Sequence, residues 1–273
     1  MSTLTHGFFD KESENDSQFI NQSYGKYLSF YKIINEDAHK ILNDSYALIG
    51  DSPEKLVILS LYMRSLTIYQ SIYFLYEKGF YAEPRILLRS LIEALFYLSA
   101  STKDSNVIQT LRLKDEKQKL KMVKKVINSD TKLRDLQNKE ELTTIKNEIE
   151  KRIDVFSVKD LGIEELSKIA DLHDYYLTVY SLLCLSVHNN FTDLESNLVI
   201  NNGVIVSLSY GPTDNKLVLN LATAMEAIVL AMKEMNNYFK LGLENKNQKL
   251  HDLVKTYLVY NKQLKPTASS TRS

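Results

Sequence analysis

The stretch Pro84-Arg-Ile-Leu-Leu-Arg-Ser-Leu-Ile-Glu-Ala-Leu-Phe-Tyr-Leu98 decides the fold. Its apolar residues recur at three- and four-residue spacing, and a proline near the start suits a first helical turn. Arg85, Arg89 and Glu93 are spaced by four and therefore share one face of that helix. Almost everything around them is aliphatic or aromatic. A buried arginine and glutamate must be paired, because an isolated buried charge is costly. The face reads as a clamp between helices, as a helix edge meeting water, or as a binding site.

Outward from this segment the helical pattern continues. Ser52-Pro53 marks a start, Gly79 a stop, and residues 53–78 are apolar on every side, as in a helix central to a bundle. A first helix is predicted over 17–49 and the third over 84–101. Residues 103–160 turn charged, keep only a narrow apolar stripe and break near Asn128-Ser129-Asp130, which predicts an exposed helical hairpin. A short helix is expected over 162–172. Another follows over 174–189, capped by Asp174. Residues 198–208 are β-branched and turn at Asn202-Gly203, a hairpin signal. Helices over 214–241 and 246–262 complete the chain. The expected organisation is a flexible stretch over 1–16, a single helical domain over 17–262 and a flexible tail over 263–273.

Composition agrees. Only eight glycines and four prolines occur in 273 residues, well under half the average share of about 12 %. That favours long helices over a many-turned β-sandwich. Thirty-four basic residues balance thirty-four acidic ones, so no global charge points to nucleic acid or a membrane surface. A single cysteine, Cys184, excludes an intrachain disulfide and fits a reducing compartment. No signal peptide is evident. The uncharged runs 65–76 and 175–192 are too short or too polar to span a bilayer. A cytoplasmic protein is expected.

A second constellation lies in Tyr175-Tyr-Leu-Thr-Val-Tyr-Ser-Leu-Leu-Cys-Leu-Ser-Val-His-Asn-Asn190. Tyr180, Cys184 and His188 are spaced by four and fall on one helix face. A histidine near a helix end suits proton transfer at neutral pH. It equally suits capping its own helix. Asn189 and its neighbours are placed to orient it or to bind phosphate.

Arg89-Ser90-Leu91-Ile92-Glu93, followed about a hundred residues later by Tyr180 and Val187-His188, resembles a widespread bacterial family of unassigned function. Its members carry an Arg-Ser-Leu-x-Glu helix and then a Tyr-x3-Ser-x3-His helix. The resemblance covers roughly residues 55–195. Cys184 departs from it, standing where the family commonly has serine. More distantly, the chain is similar to the HEPN class of helical bundles found in toxin–antitoxin and phage-defence systems. That resemblance implies a metal-independent ribonuclease in which an arginine holds phosphate and a histidine promotes attack by the RNA 2′-hydroxyl. The HEPN ribonucleases carry a local Arg-x4-6-His motif, and no histidine here follows an arginine at that spacing. Such chemistry therefore has to join Arg89 or Arg85 to His188 across the bundle.

The resemblance carries over Arg89, Glu93, Tyr180 and His188; with the helix faces read above, the expected site has Arg89, Glu93 and His188 as catalytic and Arg85, Tyr180, Cys184 and Asn189 lining the pocket. Seven basic residues against two acidic between 112 and 125 make a stripe that reads as a solvated helix face or as a track for phosphates. Its nucleic-acid candidates are Arg112, Lys114, Lys117, Lys121, Lys124 and Lys125. Glu36-x-x-His39 stands alone, without the second such motif a di-iron bundle needs, and the doublets His173-Asp174 and His251-Asp252 lack further ligands. No metal and no cofactor is expected. The expected fold is an all-α, HEPN-like bundle with a protruding charged hairpin and one small β-hairpin. The expected partners are RNA, a second copy of the chain and a protein such as an antitoxin, with no membrane. A scaffold or sensor that acts through dimerisation or a partner stands beside the ribonuclease reading.

Overall fold

A computed structural model describes residue 8 and residues 12–129, 139–185, 198–208 and 216–263. Its order is α1 Glu12–Tyr46, α2 Pro53–Glu77, α3 Ala82–Lys103, α4 Asn106–Ile127, α5 Lys139–Asp154 and α6 Ile163–Ile169. α7, His173–Tyr175, runs through a π-helical turn, Tyr176–Tyr180, into α8, Ser181–Cys184. Strands β1 Leu198–Asn201 and β2 Val204–Leu208, then α9 Leu217–Phe239 and α10 Glu244–Gln263, follow. The fold is an all-α bundle with one small antiparallel two-stranded sheet.

α2, α3 and α9 pack on one another at the centre, and α1 lies across α2 and α9. Ile58, Tyr62, Tyr69, Leu91, Ile92, Phe96, Leu221 and Ile228 interlock there, almost fully buried. Two tyrosines tie α1 to α2 reciprocally. The Tyr31 hydroxyl donates to the Tyr69 carbonyl at 2.7 Å, and the Tyr69 hydroxyl donates to the Tyr31 carbonyl at 3.0 Å. Their rings stack with centroids 3.7 Å apart. The hydroxyls thus reach partners that the hydrophobic core itself cannot offer.

The helix ends follow the local chemistry. The Ser52 side chain accepts from the Lys55 amide, with Pro53 in the first turn of α2. At the far end Gly79 takes a positive φ, its N–H donates to the Tyr76 carbonyl, and Phe80 N–H donates to Leu75. That is a Schellman motif, open to glycine because it has no Cβ. α6 ends the same way on Asp171, whose carboxylate meets Lys103 of α3 at 2.9 Å.

Several expectations are corrected. α1 starts at Glu12 rather than near Ser17. α3 starts at Ala82, which puts Pro84 inside the first turn. Leu172, not Asp174, occupies the N-cap of α7, because the α6 Schellman turn fixes the chain direction there. α2 is central yet open on one side: Leu56, Met63 and Phe74 are exposed. Between them Ser60, Thr67 and Ser71 donate their hydroxyls back to carbonyls four residues earlier and leave a solvated stripe.

α4 and α5 form the charged hairpin. Glu116 meets Arg152 at 2.9 Å and Lys124 meets Glu150 at 2.9 Å, so the two helices run antiparallel. The β-hairpin turns on Asn202 and Gly203, both at positive φ, as a type I′ turn requires. No helix among the described residues is long and apolar enough to cross a membrane.

Candidate functional site

α3 presents Arg89 and Glu93 toward the helix that begins at His173. There the π turn inserts one extra residue before Ser181, whose N–H donates to the carbonyl of Tyr176. The insertion turns Tyr180 inward. Its ring lies edge-on to Phe96 and stacked on Tyr176. Such insertions recur at functional sites.

The polar groups then converge. Arg89 Nη2 donates to the Tyr180 hydroxyl at 2.7 Å and pairs with Glu93 Oε1 at 2.8 Å. The Tyr180 hydroxyl in turn donates to Glu93 Oε1 at 2.5 Å. Arg89 Nε donates to Cys184 Sγ at 3.3 Å, and the guanidinium lies 5.0 Å from the Tyr180 ring centroid. Among the described residues Arg89 Nη1 carries no hydrogen bond. The Arg89 side chain is 23 % exposed and that of Glu93 27 %, so the cluster opens onto solvent.

Protonation is fixed by this arrangement. Burial and then the Glu93 carboxylate hold the Tyr180 phenol far above its ordinary range, so it stays a donor. Burial works against the charge on Arg89, but the Cys184 hydrogen bond and Glu93 outweigh it and its pKa rises. Arg89 is a cation whose Nη1 edge is free among the described residues, and it pairs with the Glu93 carboxylate.

Arg85, one turn earlier, donates to the Tyr81 hydroxyl at 3.1 Å and lies over that ring. It is also within electrostatic reach of the buried Tyr76 phenol, whose neighbour is Asn220 of α9. Sequence reasoning missed Tyr76, Tyr81 and Asn220. The four-residue step from Tyr81 to Arg85 was the one available signal.

Of the expected site residues, Arg89, Glu93, Tyr180 and Cys184 meet, and Arg85 stands beside them. His188 and Asn189 lie outside the described residues. No group of three or more His, Cys, Asp or Glu among the described residues is placed to hold a metal ion.

The basic stripe divides. Lys114 turns inward to the Tyr97 hydroxyl at 2.8 Å, so it belongs to the α3–α4 contact and not to an open face. Lys117 pairs with Asp160 and Lys124 with Glu150. With Lys121 and Lys125 they line a shallow groove of ≈600 Å³. Arg112 sits apart from it, in a recess shared with Asp115, Glu116 and Arg152.

Fold and site define the class: an all-α bundle with an Arg–Tyr–Glu cluster set between α3 and a π-turned helix. Residues 54–205 match the family of unknown function DUF5677, which is more than half of the chain, and the chain belongs to that family. No curated protein and no solved structure matches it.

Proposed function

We propose that the protein is a metal-independent ribonuclease, or a related nucleic-acid-acting effector of bacterial defence or toxin systems, with its site at Arg89. The observation that carries the reading is Arg89 itself. It is held by Tyr180, Glu93 and Cys184, with Nη1 unengaged among the described residues, on a face open to solvent. A fixed guanidinium with a free edge suits one phosphate oxygen. Glu93 is the positioning residue for Arg89. His188, four residues beyond Cys184 in the sequence, takes the proton of the 2′-hydroxyl while that oxygen attacks phosphorus and the 5′-oxygen leaves. HEPN likeness supports this assignment by resemblance.

The test is cleavage of an end-labelled mixed RNA pool in EDTA by the wild type and by His188→Ala. Wild-type cleavage that falls at least about 100-fold in a folded variant is the expected result. No cleavage by either protein overturns it. The groove is expected to steer RNA. Replacing Lys121 and Lys125 together by alanine should flatten the dependence of log Kd on log salt by about 1.4 for a single strand, measured by fluorescence anisotropy.

A second reading has its own support. Arg89 is paired on two sides, and Leu177, Leu182 and Leu185 are exposed on the same helical segment. A scaffold or sensor that pairs with a second copy or a partner would use that apolar edge and leave Arg89 as a clamp.

A further inference from the structure

The open side of α2 is at odds with its sequence. Leu56, Ser60, Met63, Thr67, Ser71 and Phe74 follow one another at steps of three or four residues and so line one face. On it Leu56, Met63 and Phe74 are 51, 50 and 63 % exposed. α1, α3 and α9 pack against the other sides of the helix. A helix that is apolar all round belongs where neighbours surround it, and on this face the neighbour is missing. Arg64 is the one charged residue between 56 and 76, whereas a face that stays in water carries charge. Loss of charge with Phe and Met present marks the core of a protein–protein interface.

The face can be dried at little cost. The Ser60, Thr67 and Ser71 hydroxyls already donate to the Leu56, Met63 and Thr67 carbonyls at 2.8, 3.0 and 2.8 Å, so burial strands none of them. The order of sizes along the face identifies what covers it. When the helix is laid antiparallel on its own copy about a two-fold axis at Thr67, residues equally far from Thr67 meet. Phe74 then faces Ser60 of the second copy, Met63 faces Ser71 of the second copy, and Thr67 faces itself. Leu56 falls under the aliphatic stem of the second copy's Lys78, and Arg64 beside the second copy's Gln70. Large side chains thus enter the gaps over small ones, as packed helices require. A parallel pairing in register sets Phe74 on Phe74 and serine on serine, which fills nothing. A two-fold seam makes each contact twice. Basic and acidic residues balance over the chain, so no net charge holds two copies apart.

We propose that the open face of α2 is a homodimer seam, in which α2 packs antiparallel on α2 of a second copy about a two-fold axis at Thr67. Residues 56–74 span about 27 Å, and a strip one helix diameter wide, about 10 Å, covers on the order of 300 Å² on each copy. Standard stable interfaces bury about 800 Å² per partner, so the dimer is reversible rather than permanent. The seam is separate from the apolar edge of Leu177, Leu182 and Leu185 and does not depend on whether the Arg89 site cleaves RNA.

The experiment is sedimentation velocity on the full chain across a range of concentrations. The wild type is expected to pass from monomer to dimer as concentration rises. Thr67 is exposed in the single chain, so Thr67→Arg keeps the helix, sets like charges on the axis and weakens the dimer at least about tenfold. Ser71→Met puts a second methionine against Met63 of the other copy and weakens it too. Met63→Ser joined to Ser71→Met exchanges the two sizes and restores association to within about threefold. Thr67→Cys on oxidation is expected to give a disulfide-linked dimer that the wild type, with Cys184 alone, does not form. Leu182→Lys, on the other apolar edge, leaves association unchanged. Monomer at every concentration, association undiminished in Thr67→Arg, or a Ser71→Met dimer tighter than the wild type overturns the proposal. Loss of the dimer in Leu182→Lys with Thr67→Arg unaffected also overturns it and moves the seam to α8. None of these readouts involves cleavage, so failure of the ribonuclease reading leaves them intact.

Discussion

Arg89→Ala is expected to lower the unfolding free energy by about 2 kcal/mol and, if the site acts on RNA, to remove cleavage altogether. Removing one partner of a buried ion pair costs about 3–5 kcal/mol, because the other charge is stranded. Here the Arg89 and Glu93 side chains are 23 % and 27 % exposed, so water relieves part of that penalty. The Tyr180 hydroxyl, moreover, still donates to Glu93. Glu93→Gln added to Arg89→Ala removes the stranded charge and should return about half of the loss, measured by urea unfolding. Arg89→Lys separates the two roles. Lysine keeps the charge beside Glu93 but has no Nε to meet Cys184 and no fork for a phosphate. A clamp tolerates it with little loss of stability. A phosphate site keeps the fold and loses at least about tenfold in cleavage.

Most of this cluster was legible in the chain. The four-residue steps from Arg85 to Arg89 to Glu93, and from Tyr180 to Cys184, put each set on one helix face, and charge inside so apolar a helix had to find a partner. The pairing across 91 residues, Arg89 to Tyr180, was not legible from spacing alone, because helical periodicity fixes faces and not which faces meet. The π turn was invisible for a related reason. Tyr176–Tyr180 reads as ordinary helix, and only its packing on Phe96 rewards the extra residue. Lys114 shows the opposite failure. Counted as a surface charge, it has a long aliphatic stem that lets its ammonium reach back to Tyr97. Asn247, buried between α9 and α10 with its amide unpaired among the described residues, carried no signal, since that is a property of the packed helices and not of the residue. The β-hairpin, by contrast, was fixed locally by Asn202-Gly203, and the structure turns there.

Raising the pH above 10 is expected to unfold the protein steeply through its buried tyrosines, of which Tyr31, Tyr62 and Tyr69 sit deepest and Tyr76, Tyr175 and Tyr180 add to the effect. Tyr31, Tyr62 and Tyr69 are essentially inaccessible to water, and their hydroxyls donate to carbonyls at 2.7, 2.9 and 3.0 Å respectively. Burial, with neighbouring tyrosines adding for Tyr31, holds all three phenols well above their ordinary value near 10. The unfolded chain releases these protons as pH passes 10 and the folded chain keeps them. The unfolded state then binds fewer protons, so stability falls as pH rises. Below pH 10 the contribution is fully present. Above it each tyrosine removes about 1.4 kcal/mol per pH unit, and the three together about 4 kcal/mol per unit. Set against a typical 5–15 kcal/mol, this collapses the fold within about one to four units. The solvent-exposed tyrosines ionise first, and a second rise in phenolate absorbance should come with the loss of helical circular dichroism. Tyr69→Phe removes one titrating group and should lower the slope by about 1.4 kcal/mol per pH unit, at a cost near neutrality of about 1 kcal/mol for the lost hydrogen bond. Tyr69→Ala should cost about 4 kcal/mol at neutral pH, because it opens a cavity against the Tyr31 ring, which stacks at 3.7 Å. Equal phenolate absorbance in wild type and Tyr69→Phe during alkaline unfolding, or a difference between them while the helices are still intact, would show that the Tyr69 hydroxyl is not held between α1 and α2.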